Sequence, residues 1–400
     1  MKEEFKLAIN RAVSGHAPDF ADFELPLAFS VKAFHESFPM YQKTPLVNLT
    51  NTAKAIGLKD IYVKDESFRF GLNAFKVLGG SYAIGRTIAK RLDMHFNEIT
   101  YEKIMDEETR RKIGDVTFVT ATDGNHGRGV AWSANRFGYK SVVYMPKGTE
   151  EIRLQNILKE NADASITEFN YDGCVRLASQ MAQEKGWIMV QDTAWDGYEE
   201  VPLWIMQGYT TMAIEAFEQM QEKPTHIFLQ AGVGSMAAAV AAFFSDIYKE
   251  DMPKIVIVEP NRADCFYQTA LAGDGERRIV TGDMNTIMAG LACGEPCSIA
   301  WDILSRCAKF YISCPEYAAA QGMRVLGNPA KGDKKVISGE SGASAFGCVF
   351  EIMRDERLKD IRNEIGLDEN SVCLFISTEG DTDPENYRRI VWDGAHPAER

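Results

Sequence analysis

The sequence predicts an α/β protein built as two open α/β domains with mainly parallel sheets. Three observations carry that expectation. Short β-branched or aromatic runs bounded by turn residues recur along the chain, as buried parallel strands do. Segments of helical length separate them, so strand and helix alternate. Glycine-rich turns stand where several runs end and a helix begins, the place where open parallel sheets bind ligands.

The strand-like runs are 61–64, 116–121, 141–145, 166–169, 187–191, 226–230, 255–258, 310–313 and 372–377. The helix-like segments are 81–91, 129–137, 150–160, 175–185, 203–221, 236–248, 315–326 and 343–357. No repeat of fixed period and no long Gly/Ser linker breaks the alternation, so domain boundaries fall in short loops and the domains are expected to interleave. One such loop, Gly197-Tyr198-Glu199-Glu200, precedes Pro202, a residue suited to a first helical turn. A chain of 400 residues has room for about two domains and a core that needs no disulfide or metal staple.

Acidic residues outnumber basic ones 57 to 44, a net charge of −13. That balance argues against nucleic-acid partners, which need a basic footprint, and against adhesion to anionic membranes. No run reaches the roughly 18 apolar residues of a membrane span. The charged start, Met1-Lys2-Glu3-Glu4-Phe5-Lys6, leads into no apolar segment of the signal-peptide kind. A cytoplasmic address is expected. The cysteines, Cys174, Cys265, Cys293, Cys297, Cys307, Cys314, Cys348 and Cys373, form no CxxC pair. Buried free thiols are expected rather than a zinc site.

Four segments bear on chemistry. The first is Asn73-Ala74-Phe75-Lys76-Val77-Leu78-Gly79-Gly80, at a strand-to-helix junction. A lysine amine is protonated in water, but in a desolvated pocket it loses its proton and can form a Schiff base. A single lysine is as readily a solvated surface charge. The second is Thr122-Asp123-Gly124-Asn125-His126-Gly127, after the run 116–121. Capping explains one Asp or Asn there, but not Asp, Asn and His together among glycines. The third is Gln230-Ala231-Gly232-Val233-Gly234-Ser235-Met236-Ala237, between a strand and a helix. It suits a phosphate cradle at a helix N-terminus. It also fits a dinucleotide fingerprint, with Glu259 ending the next strand as the ribose acid. A tight packing turn is the plain alternative. The fourth, Phe375-Ile376-Ser377-Thr378-Glu379-Gly380, ends a strand in hydroxyl residues and a turn. The remaining histidines lack metal-ligand spacing and HExxH is absent, so no metal is expected; no G-x-S-x-G elbow points to a serine hydrolase.

These segments, in this order, resemble the fold type II pyridoxal-phosphate enzymes, the tryptophan synthase β-subunit and threonine dehydratase superfamily. Thr44-Pro45-Leu46 looks like its opening signature, Asn73–Lys76 like its cofactor-lysine motif and Gly232–Met236 like its phosphate loop. Further stretches, among them Arg69–Lys76, Thr122–Trp132, Val190–Tyr198, Ile205–Tyr209, Thr286–Pro296 and Ser338–Gly342, narrow the resemblance to the ammonia-lyases of 2,3-diaminopropionate. It runs from about residue 30 to the end of the chain.

The resemblance implies pyridoxal 5'-phosphate bound to Lys76 as a Schiff base. It implies that Asn125 bonds the cofactor's phenolic oxygen, that Gly232, Val233, Gly234, Ser235 and Met236 cradle its phosphate, and that Ser377, or else Thr378, sits near the ring nitrogen. Asp192 is implied near the leaving amine. A homodimer is implied, with a small amino-acid substrate taken as both enantiomers. Asp123 departs from the superfamily, which places a small neutral residue there. That change suggests a second base, opposite Lys76, for the other enantiomer. Ala74 replaces the usual serine, and the phosphate loop has two glycines rather than three or four. The expected large domain is 1–88 with 193–400. The expected small, mobile domain is 89–192, with the cofactor in the cleft between the two.

Overall fold

The computed structural model describes residues 4–13, 18–122 and 124–398, so Asp123 lies outside the described residues. Strands within them are β1 Lys6–Ile9, β2 Leu46–Asn48, β3 Asp60–Asp65, β4 Thr117–Ala121, β5 Lys140–Met145, β6 Asp163–Ile166, β7 Ile188–Met189, β8 His226–Gln230, β9 Lys254–Pro260, β10 Ala308–Cys314 and β11 Val372–Ser377. They form two sheets. One has the order β1-β10-β9-β8-β11-β3-β2, the other β6-β5-β4-β7.

The larger sheet is parallel through its five central strands, with β1 and β2 antiparallel at the two edges. The parallel strands carry apolar runs, such as Ile227-Phe228-Leu229 in β8, where both faces are covered and every position is buried. The two edge strands were not expected. They are short and half-buried, so their residues carry no parallel-strand signal. Phe375 lies opposite Phe228 in register, their rings stacked 5.5 Å apart, and Phe346 meets Phe375 edge-on at 5.6 Å. Each buried ring contributes about 1.5–3 kcal/mol by leaving water, and each aromatic pair about 0.5–1.5 kcal/mol more.

The order 10-9-8-11-3 reverses direction between β8 and β11, which makes their carboxyl ends a switch point where such sheets bind ligands. The smaller sheet is parallel throughout and reverses between β4 and β7. The run expected at 166–169 begins earlier, at Asp163, because the chain pairs with β5 in the register Val142↔Asp163.

The chain forms two compact units. One comprises 1–21, 43–74 and 215–400 and holds the larger sheet; the other comprises 22–42 and 75–214 and holds the smaller. Both units are discontinuous in sequence, and the second takes in residues on both sides of 89–192. Close helix packing accounts for this. A Cβ on Gly129, in helix Asn125–Arg136, would stand 2.9 Å from Val77 N. A Cβ on Gly208, in helix Glu200–Gln219, would stand 2.5 Å from Leu78 O. Helix Val77–Arg91 therefore belongs with its neighbours on both sides.

All eight cysteines are free thiols; Cys293 is half-buried and the rest are buried. No helix among the described residues is long and apolar enough to cross a membrane.

Candidate active site

In the first unit, a buried ionic cluster anchors the segment that leads to Lys76. Lys64 ends on Glu215 at 2.6 Å, and Arg69 bridges Glu66 at 2.8 Å and Glu215 at 2.8 Å, all with wholly buried side chains. Thr44 joins it, its hydroxyl donating to Glu66 at 2.6 Å while its carbonyl accepts from Lys64 at 2.6 Å. Two cations face two carboxylates, so the cluster is neutral, and each charge is paired, as burial demands. The chain then turns through Phe70 at φ 49° and Asn73 at φ 59°. Asn73 and Ala74 are tied to the strand-end segment after Ser377: Gly380 N donates to Asn73 O at 3.0 Å, and Ala74 bridges Glu379.

The carboxyl ends of β8 and β11 carry two of the predicted segments. Gly234 caps helix Ser235–Tyr248 with φ +90°, a left-handed conformation that an L side chain resists. A Cβ there would also come within 2.3 Å of Phe266 Cζ. Gly232 and Val233 are half-buried ahead of a helix whose first N–H groups have no partner within the helix; Ser235 and Met236 open it, buried. Gln230, ending β8, donates to Ile376 O at 2.8 Å and to the Thr378 hydroxyl at 3.1 Å, joining the two strand ends. Ser377 is fully buried and donates to the Ser338 hydroxyl at 2.8 Å.

Glu259 is not the free ribose acid of the dinucleotide alternative. It is wholly buried, and its two oxygens accept the N–H groups of Phe266 at 2.9 Å and Tyr267 at 2.7 Å. Burial, above all, pushes its carboxyl well above the usual range. It caps helix Cys265–Ala272 instead.

The second unit gathers a different set. Lys76 immediately precedes helix Val77–Arg91, and its Nζ pairs with Asp192 Oδ2 at 2.5 Å. The amine lies 5.5 Å from the ring centre of Phe75 and 6.0 Å from that of Tyr209. His126 Nε2 meets Val190 O at 2.8 Å, so that nitrogen carries the hydrogen, and Nδ1 faces Asp192 at 3.8 Å. Burial pushes the Asp192 carboxyl up, but His126 and Lys76 outweigh it and hold the group well below the usual carboxylate range. Gln191 clamps the neighbouring strand end: its side-chain oxygen accepts from the Thr120 hydroxyl at 3.0 Å and from Ala121 N at 3.1 Å, while its amide donates to Tyr171 at 2.8 Å. Asn125 opens helix Asn125–Arg136, half-buried.

Lys76, Asp192 and Asn125 thus fall in one unit, and the 232–236 loop and Ser377 in the other. Sequence reasoning did not single out Ser338, His126 as a neighbour of Asp192, or Tyr209, although each lay inside a stretch it quoted. Their side chains are ordinary core types; only the fold brings them to these partners. No group of three or more His, Cys, Asp or Glu residues among the described residues could hold a metal. Each unit by itself suits part of pyridoxal phosphate: the second has an amine beside a carboxylate for the aldehyde, and the first has a glycine-built helix start for the phosphate and a buried hydroxyl pair for a ring nitrogen.

The pyridoxal-phosphate dependent enzyme family profile matches residues 38–365. The chain is 52% identical to diaminopropionate ammonia-lyase of Salmonella typhimurium over 369 residues, 91% of each chain, and 47% identical to that of Escherichia coli over 395 residues, 98% of this chain and 97% of the relative. The crystal structure of the E. coli enzyme in complex with an aminoacrylate-PLP azomethine reaction intermediate superposes with a TM-score of 0.90 at 44% identity, covering 99% of this chain and 98% of that one. The chain has the fold type II architecture and belongs to the pyridoxal-phosphate dependent enzymes and, among them, to the diaminopropionate ammonia-lyases.

Proposed function

We propose that this protein eliminates ammonia from 2,3-diaminopropionate, as the D and the L form, yielding pyruvate and two ammonia with uptake of one water. The observation that carries the reading is the Lys76–Asp192 pair at 2.5 Å, its carboxylate buried and its amine half-buried. A carboxylate held ionised beside one amine is built to hold another, and the β-ammonium of the substrate is the group that leaves. A hydroxyl leaving group, as in serine or threonine, has no charge for that carboxylate to hold.

Lys76 would hold the aldehyde carbon of pyridoxal phosphate, Asn125 its phenolic oxygen, the 232–236 loop its phosphate and Ser377 its ring nitrogen. Bound there, the cofactor supplies a ring that accepts the electrons of the α-C–H bond. Lys76, freed by the substrate, takes the α-proton of one enantiomer, and Asp123 takes it from the other face. Asp192 orients the β-ammonium. A hydroxyl at Ser377, itself bonded to Ser338, places no lasting proton on a ring nitrogen, which favours rapid elimination. The unit that contains 89–192 acts as the small mobile domain, closing on substrate and excluding water from the cofactor cleft. The same reading makes the protein a cytoplasmic homodimer, an assembly state that light scattering on a sizing column tests.

The decisive experiment measures ammonia and pyruvate release from each enantiomer by wild type, Lys76→Ala and Asp123→Asn. Wild type is expected to use both. Lys76→Ala should lose elimination, and Asp123→Asn should lose chiefly the D-isomer. Wild type that ignores diaminopropionate but deaminates serine or threonine would overturn the substrate assignment.

A further inference from the structure

Tyr209 is wholly buried in helix Glu200–Gln219. Its ring lies 4.7 Å from that of Phe75 and against the bare backbone of Gly79, where a Cβ would stand 2.7 Å from Tyr209 Cε1. Its hydroxyl is buried and has no well-aligned hydrogen-bond partner among the described residues. A buried hydroxyl without a partner destabilises the fold, and phenylalanine would fill the same space without that cost. Packing therefore does not account for the oxygen.

Its surroundings do. Burial foremost, with Asp192 behind it, pushes the phenol well above its ordinary range, and the Lys76 ammonium pulls against that rise. The Lys76 amine lies 6.0 Å from the centre of the Tyr209 ring, within reach of the hydroxyl. A phenol so shifted stays neutral at any working pH, able both to give and to accept a hydrogen bond.

We propose that Tyr209 is a positioning residue for the Lys76 amine, taking one of its N–H bonds when Asp192 does not hold it and so aiming the nitrogen lone pair. The inference rests on the reading of Lys76 as the cofactor-bearing base. A base must present a free lone pair in a fixed direction. Asp192, a carboxylate at 2.5 Å, favours the ammonium, which has no lone pair to offer. A neutral phenol imposes no such preference. The two partners divide the states of the amine: Asp192 holds it charged, and Tyr209 holds it neutral. Rotation about the four-carbon lysine stem moves the nitrogen from one to the other.

The test compares wild type, Tyr209→Phe and Lys76→Ala, each loaded with pyridoxal phosphate. Four quantities are read: kcat and KM on D- and L-diaminopropionate, the pH midpoint of the bound cofactor's visible absorbance without substrate, and Tm. Tyr209→Phe is expected to keep or raise Tm, to lower kcat by about 10–100-fold, as displacement of a reacting group does, to leave KM within about twofold, and to shift the absorbance midpoint. A wild-type kcat with an unmoved midpoint overturns the proposal, as does a fall in Tm. Lys76→Ala keeps the two readings apart. If it still eliminates ammonia, the assignment of Lys76 fails. If it is dead while Tyr209→Phe behaves as wild type, the role of Tyr209 alone fails.

Discussion

Gly129→Ala tests whether helix packing places Lys76. The missing Cβ would lie 2.9 Å from Val77 N and 3.0 Å from the carbonyl carbon of Lys76 itself. Ordinary contact begins at 3.4 Å, so the peptide bond between Lys76 and Val77 must retreat by about 0.5 Å, and backbone cannot fold aside as a side chain does. Misplacing a reacting group by 1 Å costs up to about 10²-fold, so half that distance predicts a loss of about tenfold in kcat. Stability should change less. Alanine in a helix gains about 1 kcal/mol over glycine, while overpacking costs about 1–3 kcal/mol, a net loss of about 0–2 kcal/mol. Gly85→Ala is the control: it lies on helix Val77–Arg91, and its nearest neighbours are the ring atoms of Phe34 at 3.0 Å, which can yield. Urea unfolding and kcat on diaminopropionate, measured on both variants, separate the effects. A wild-type kcat in Gly129→Ala, or equal losses in both variants, would refute the reasoning.

Two further outcomes follow from the first unit. Glu215→Gln should cost about 3–5 kcal/mol in chemical denaturation, because it leaves Lys64 and Arg69 buried with one carboxylate, Glu66, between them. Burial pushes Glu215 up, but Arg69 and then Lys64 outweigh it and hold it well below the usual range. Its stabilisation is therefore complete above the ordinary glutamate range and drains as pH falls below about 4.5 toward the folded value; acid unfolding of Glu215→Gln should lack that part of the slope. Gly234→Ala forces an L side chain to φ +90° against Phe266, with about 1–2 kcal/mol of strain before the clash is counted. Pyridoxal phosphate titrated by absorbance should bind it about tenfold more weakly or worse, since about 1.4 kcal/mol is a factor of ten. Wild-type affinity would mean that the phosphate sits elsewhere.

What the sequence determined on its own was the class of the fold and the positions of its loops. The parallel strands were legible because double-sided burial turns them into apolar runs; 226–230 and 372–377 agree with β8 and β11 to the residue. The Lys76, Asn125 and Gly232–Met236 segments were legible because glycine at a strand-to-helix junction leaves a mark in sequence. The edge strands β1 and β2 were not, being short, half-covered and antiparallel. Nor was the cover of the second unit, since Gly129 and Gly208 read as ordinary helix residues until their neighbours are known. Glu259 shows the limit most directly: as sequence it ends a strand in the place of a ribose acid, and only the fold reveals that two backbone N–H groups already occupy it. The partners of Asp192 were decided in the same way. Lys76 and His126 lie 116 and 66 residues away in the chain, and a carboxylate's charge state depends on what surrounds it in space rather than on what precedes it in sequence.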